Sequence, residues 1–271
     1  MHHNAGVHTP FADLVDVRPA GTHGRFHVEP PGSGFLFGGL TLALALTGAS
    51  RTVADDLVPL SLRCTFVTFG EWGATDIDVD DIATSRSFAT RRVSLRQGEK
   101  VVAVADAAFH RPEEGPDVHD AAPAAPDPAS LPSAPTRFGT VEGETDPFDV
   151  RPLDPARRSG VERIHPYWTR AWLPVAGGSS EHSAALAFMS DYYVIHTPFE
   201  PGSGASEGLR SFTLEQSLWF HRACDANRWM LFDCSPLTQS HGRYTSRGTV
   251  HDEDGALVAS FAQVGFIRPA R

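Results

Sequence analysis

The residue with the clearest chemical potential is Asp191. Ser183 to Asp191, Ser-Ala-Ala-Leu-Ala-Phe-Met-Ser-Asp, is apolar on nearly every side and ends on a carboxylate that packing does not require. At the end of a buried helix such a group either anchors the structure through a salt bridge or serves as a base, and spacing alone leaves both open. Other reactive groups are poorly represented. No Gly-x-Ser-x-Gly elbow occurs, and Cys64, Cys224 and Cys234 show no Cys-x-x-Cys spacing and read as buried thiols. His182, His241 and His251 lack metal-ligand spacing, so neither a metal nor a cofactor is expected. His221 and Arg222 follow Trp219-Phe220 and read as a strand end with a hydrogen-bonded imidazole. Arg86, Arg91, Arg92, Arg243 and Arg247 are of a type that holds phosphates, although strand arginines are more often solvated or ion-paired.

The bulk properties bound the partners. With 23 basic and 33 acidic residues in 271, the chain is an anion at neutral pH, which argues against broad nucleic-acid or anionic-membrane binding. The most apolar run, Phe35 to Ala49, is too short to span a bilayer, and no stretch reads as a secretory leader. A cytoplasmic protein with reduced thiols is expected.

The elements that must position Asp191 follow from pattern. After a polar start with short extended candidates at Ala12 to Arg18 and Arg25 to Val28, a turn at Pro30 to Gly34 leads into Leu40 to Ser50, a Leu/Ala helix apolar around its circumference. Four strand candidates follow, Leu60–Phe69, Ala74–Ile82, Ser87–Arg96 and Lys100–Phe109, with a hairpin at Gln97-Gly98. Residues 111 to 160 hold about half of the prolines and many carboxylates, and read as a long surface connection. The order then restarts. Tyr167–Leu173 is a short strand, Gly177 to Ser180 a turn and cap, Glu181–Asp191 a helix and Gly202–Gly208 a flexible loop. Four more strands follow, Phe212–Arg222, Arg228–Cys234, Arg243–His251 and Ala256–Ile267, with a hairpin at Asp254-Gly255.

The two halves repeat. Gly98 to Phe109 and Gly255 to Phe266 each run eleven steps from turn glycine to phenylalanine, and Ser61-Leu62 and Ser217-Leu218 sit near the start of the first long strands. In that alignment Asp106 matches Gln263, and reads as a remnant or a structural carboxylate. The helix Leu40–Ser50 ends without a carboxylate where its counterpart ends on Asp191, so a shared packing role does not account for Asp191. The expected fold class is α+β, a tandem (double) hot-dog. Each unit is a long central helix wrapped by a curved antiparallel sheet, and the two sheets are continuous. Residues 1–110 form the first unit, 111–160 a Pro-rich acidic linker and 161–271 the second.

Phe37-Gly38-Gly39, Ser85 to Val93, Ser190-Asp191, Ser217-Leu218-Trp219-Phe220-His221-Arg222 and Gly255 to Ser260 with Gln263 and Gly265 together resemble the acyl-CoA thioesterase II family of double hot-dog proteins, from about Gly32 to Arg268. The resemblance implies hydrolysis of acyl-CoA thioesters to free acid and CoA by a water activated between Asp191, Thr213 and Gln263, with the active site in the second unit. It also implies an acyl-CoA substrate and a homo-oligomer. Two departures stand out. Leu40 replaces the Gln common after the double glycine, and Glu215 or Gln216 falls where a His is often seen. Backbone N–H groups at a helix start would bind the oxyanion, with Gly178 to Ser180 or Gly38-Gly39 as candidates.

Two other functions fit the same fold. An enoyl-thioester hydratase needs an Asp and His pair at a helix mouth, and none is visible near Asp191. A non-catalytic acyl-thioester binding or scaffold protein needs only the fold.

Overall fold

The computed structural model describes residues 7–134, 144–154, 163–199 and 208–269. The elements run β1 (Val7–His8), α1 (Phe11–Leu14), β2 (Arg18–Pro19), β3 (Arg25–Val28), α2 (Gly38–Ser50), β4 (Val58–Phe66), β5 (Thr75–Thr84), β6 (Phe88–Gln97) and β7 (Lys100–His110). The second half continues with β8 (Glu144–Thr145), β9 (Phe148–Pro152), β10 (Tyr167–Ala171), α3 (Ser179–Met189), β11 (Leu209–Phe220), β12 (Met230–Ser240), β13 (Arg243–Asp252) and β14 (Leu257–Pro269).

Twelve strands form one sheet, in the order β2-β3-β5-β6-β7-β4-β11-β14-β13-β12-β10-β9, with every pairing antiparallel. The halves meet where β4 pairs with β11, Leu62 opposite Leu218 and Cys64 opposite Gln216. Among the described residues no helix is long and apolar enough to cross a membrane.

Helix α2 is apolar all round because it is enclosed all round. Leu40, Leu42, Leu44 and Leu46 have no exposed surface, and the helix packs on β4, β5, β6 and β7 on one side and on α3 on the other. A leucine buried this fully leaves a cavity when truncated. Leu44→Ala is therefore expected to lower the unfolding free energy by about 2–5 kcal/mol, read as a shift in the midpoint of a urea titration.

Local chemistry explains where the expected elements shift. Ala12 to Arg18 is not extended throughout. Residues Phe11–Leu14 form a helical turn that buries Phe11 and Leu14 at i and i+3 after Pro10 sets the entry. The segment 111–160 is not all surface, because β9 joins the sheet edge with Phe148 and Val150 buried in the core. The loop expected at Gly202–Gly208 falls almost wholly outside the described residues. The two hairpins turn where expected, with Gly98 at φ +60° and Gly255 at φ +88°, a region that favours glycine.

Those hairpins differ in length, which changes which residues face inward. Gln97 pairs directly with Lys100, leaving two residues in the first turn. In the second the Asp252 N–H bonds to the Ala256 carbonyl, leaving three. One extra residue reverses the side-chain alternation that follows. Asp106 therefore points away from the core and pairs with Arg92 at 2.8 Å, whereas Gln263 is fully buried. Asp106 is a structural carboxylate and not the positional equivalent of Gln263.

Candidate active site

The end of α3 is held by aromatic side chains. The Tyr167 hydroxyl on β10 donates to the carbonyls of Met189 at 3.3 Å and Tyr192 at 3.2 Å, while the Tyr192 hydroxyl donates to Asp146. Phe37, just before α2, lies 5.0 Å from Phe188 and 5.5 Å from Tyr192 by ring centroids. The segment from Met189 to Tyr192 is thereby clamped between β10 and the start of α2. Asp191 lies one residue past the cap of α3 and is buried.

The double glycine of α2 makes room for this carboxylate. A Cβ on Gly38 would lie 2.5 Å from Asp191 Oδ2, and one on Gly39 would lie 2.3 Å from the Phe188 carbonyl oxygen. The Gly39 N–H donates to the carboxylate. Of the two glycine-bearing helix starts, it is Gly38-Gly39 that reaches Asp191. Gly178 to Ser180 instead line a cavity of about 780 Å³ with Thr47, Ser50 and Arg51, at the other end of the helix pair. There the sequence Ser50-Arg51 stands where α3 is followed by Ser190-Asp191.

A chain of hydrogen bonds runs from the carboxylate into the sheet. Gln263 Nε2 on β14 donates to Asp191 Oδ1 at 2.6 Å and to Gln216 Oε1 at 2.8 Å. Gln216 Nε2 donates to Ser190 Oγ at 2.8 Å, and the Ser190 hydroxyl donates to the Ala187 carbonyl at 2.7 Å. On the far side the Tyr244 hydroxyl donates to Gln263 Oε1 at 2.6 Å, and the Thr213 hydroxyl bonds to the same phenol. Asp191 and Gln263 are thus in direct contact, whereas Thr213 reaches them through Tyr244.

A bulge explains the placement of Thr213. The β11–β14 register slips between Thr213 and Glu215, so Gln216 sits opposite Gln263 while Thr213 sits opposite Gly265. Glu215 points outward and pairs with Arg63 at 2.7 Å. Of the two residues at the position where the family often has His, only Gln216 belongs to the site. Next to Gln263 on β13 lies Ser246, fully buried, whose hydroxyl has no hydrogen-bond partner among the described residues.

The electrostatics suit a base. Burial raises the Asp191 pKa to about 7, opposed by the hydrogen bonds from Gln263 and the Gly39 N–H. The C-terminal end of α3 destabilises the charge, but the N-terminal end of α2 faces the same carboxylate and favours it, so desolvation dominates and not the helix it follows. Cys64, opposite Gln216, is no rival nucleophile, because burial and the nearby Asp191 charge push its thiol well above the usual range. Among the described residues the partners of the Asp191 carboxylate are Gln263 and Gly39. Neither is the imidazole that a hydratase requires.

Two of the other candidates have structural partners. Arg91 is buried against Asp81 at 2.8 Å and Thr52 at 2.9 Å, which ties β5 and β6 to the end of α2. His221 Nε2 lies 2.9 Å from Ser260 Oγ. Sequence reasoning missed Tyr244 and Ser246. The signal was present only in the sheet register, where Tyr244, Ser246 and Gly248 oppose Gly265, Gln263 and Phe261.

Comparison with known proteins assigns the family. The family model for the acyl-CoA thioesterase N-terminal domain matches residues 28–110, and that for the C-terminal domain matches residues 112–267. The chain belongs to the acyl-CoA thioesterase II family. It is therefore a thioester hydrolase. Human acyl-coenzyme A thioesterase 8 is 27% identical over 256 residues, spanning 86% of this chain and 80% of that protein. The crystal structure of an acyl-CoA thioesterase II from Mycobacterium marinum is 27% identical and superposes with a TM-score of 0.78 over 95% of this chain and 96% of that one. A hot-dog protein from Alicyclobacillus acidocaldarius, 22% identical, shares the fold at a TM-score of 0.75 over 96% of this chain and 98% of its own. This thioesterase II member has a hot-dog fold.

Proposed function

We infer that the protein hydrolyses acyl-CoA thioesters to a free acid and CoA, with Asp191 as general base. The observation that carries this is the 2.6 Å bond from Gln263 to a buried Asp191 whose pKa lies near neutrality. Gln263 holds Oδ1 and leaves Oδ2 to take a proton from water. That water attacks the thioester carbon while its proton passes to Asp191, and the carbonyl becomes an oxyanion. Collapse expels the CoA sulfur, which takes the proton back from Asp191. The backbone N–H of Gly38, at the start of α2, is the candidate donor to the oxyanion, since the Gly39 N–H is engaged by Asp191; one such donor contributes about 3 kcal/mol in comparable sites. Thr213 belongs to the same hydrogen-bonded chain.

The division into a first unit (1–110), a connection (111–160) and a second unit carrying the site (161–271) follows the tandem hot-dog reading. It is supported by the restart of the helix-then-strands order at α3. The protein acts as a homo-oligomer in the cytoplasm on this reading.

The test is CoA release, followed with a thiol reagent, from acyl-CoAs of several chain lengths. Wild type is expected to release CoA, and Gln263→Ala to lose about 10²–10³-fold in kcat by freeing the carboxylate from its fixed geometry. The rate should rise with pH along an acid limb centred near 7. No release by wild type on any chain length rules out this function.

A further inference from the structure

Gln263 can help only if its amide faces the right way. The oxygen and nitrogen ends of an amide are nearly the same size, so shape does not distinguish them and their hydrogen-bond partners must. Two groups on the Nε2 side are acceptors, Asp191 Oδ1 and Gln216 Oε1. A flipped amide would set its oxygen against both. On the Oε1 side the partner is the Tyr244 hydroxyl, at 2.6 Å.

We propose that Tyr244 is a positioning residue of this site, whose hydroxyl, bonded between Thr213 and Gln263 Oε1, holds the Gln263 amide with Nε2 toward Asp191. Thr213 then acts on the reaction through Tyr244 and not on the water itself. The proposal rests on the thioesterase reading.

The ring is built in. Tyr244 is buried, with its side chain over Gly265 directly across the β13–β14 ladder, where a Cβ would lie 2.3 Å from the ring. Phe199 and Ile267 pack against it. A phenol buried this deeply needs a hydrogen-bond partner for its hydroxyl, and the Gln263 oxygen supplies it. The ladder thereby determines where the hydroxyl stands, and the hydroxyl determines which face of the Gln263 amide meets the carboxylate. The second anchor is Ser190, which by donating to Ala187 must accept from Gln216 and so turns Gln216 Oε1 toward Gln263. With two anchors, loss of one weakens the orientation without abolishing it.

A double-mutant cycle tests this, with kcat and KM for CoA release measured on an acyl-CoA that wild type turns over. Tyr244→Phe keeps the ring and removes the hydroxyl, and is expected to lower kcat about tenfold with KM within twofold. Thr213→Val should lose less than Tyr244→Phe, Thr213→Ser should retain wild-type kcat, and the double variant should be no slower than Tyr244→Phe alone. An unchanged kcat in Tyr244→Phe, or losses that multiply in the double variant, overturns the proposal. If Tyr244→Phe fails to fold, as judged by circular dichroism, a loss in Thr213→Val as large as that in Gln263→Ala overturns it, and a loss at least tenfold smaller supports it. Wild type inactive on every acyl-CoA overturns the thioesterase reading and this proposal together, whereas active wild type beside an unaffected Tyr244→Phe overturns this proposal alone.

Discussion

Asp191→Asn is expected to abolish CoA release and, above neutral pH, to make the protein more stable. Both effects come from burying one carboxylate. Asn is nearly the same shape and its oxygen can still accept from Gln263, but it cannot take a proton from water, so kcat should fall by about 10²–10⁴-fold. Stability moves the other way. Burial raises the Asp191 pKa from 3.8 to about 7 in the folded protein. Between those values the folded state holds a proton that the unfolded chain has released, so stability is greatest below the unfolded pKa and falls as pH rises to about 7. At about 1.4 kcal/mol per pH unit, the loss reaches at most about 4 kcal/mol. Asn carries no such titration. The variant should match wild type near pH 4 and exceed it by a few kcal/mol near pH 8, measured by urea unfolding at each pH. An Asn variant that is less stable than wild type at pH 8 would show that the carboxylate is a stabilising ion-pair partner and not a strained base.

Gly39→Ala is expected to be among the most destabilising substitutions of a single methyl in the chain. Its Cβ would stand 2.3 Å from the Phe188 carbonyl oxygen and 2.4 Å from the Phe37 ring. The carbonyl belongs to the backbone of α3 and cannot rotate away, so the helices must separate where both are buried. Overpacking of this kind typically costs about 1–3 kcal/mol. The shift should also draw the Gly39 N–H from Asp191, removing a bond that lowers its pKa, and so move the acid limb of the rate profile to higher pH. Gly48→Ala on the same helix is the control. Its Cβ would meet the Ile77 Cγ2 methyl at 2.8 Å, a longer approach, and to a side chain and not to backbone, so the cost should be smaller. Equal unfolding midpoints for the two variants would show that the helix crossing is not tight at Gly39.

Much of the fold was legible because short-range chemistry dictates it. Leu40 to Ser50 reads as an enclosed helix from composition, the strands read from their alternation, and Gly98 and Gly255 mark turns because few other residues tolerate their backbone angles. The small helix at Phe11–Leu14 and the buried strand at Phe148–Pro152 did not show, since each is too short for periodicity and takes its order from the core it packs on. For the candidate site, Asp191 announced itself as an unexplained carboxylate, and Thr213 and Gln263 came through family resemblance. The alignment that matched Asp106 with Gln263 failed by a single turn residue, enough to send one side chain outward and the other into the core.

The sequence by itself determined the order of the long helices and strands, the hydrolytic family and the carboxylate. Each is written in neighbouring residues or in a motif, where propensity and spacing act locally. Only the tertiary structure decided what surrounds the carboxylate. Tyr244 and Gln216 reach Gln263 because ladder register and the bulge at Leu214 set which side chains face inward. Gly38 and Gly39 meet Asp191 because two buried helices cross there. The pKa near 7 arises from desolvation by both halves of the chain at once. Hydrogen-bond direction and dielectric environment depend on distances through space between residues far apart in the chain, and those distances exist only once the sheet has closed over the helices.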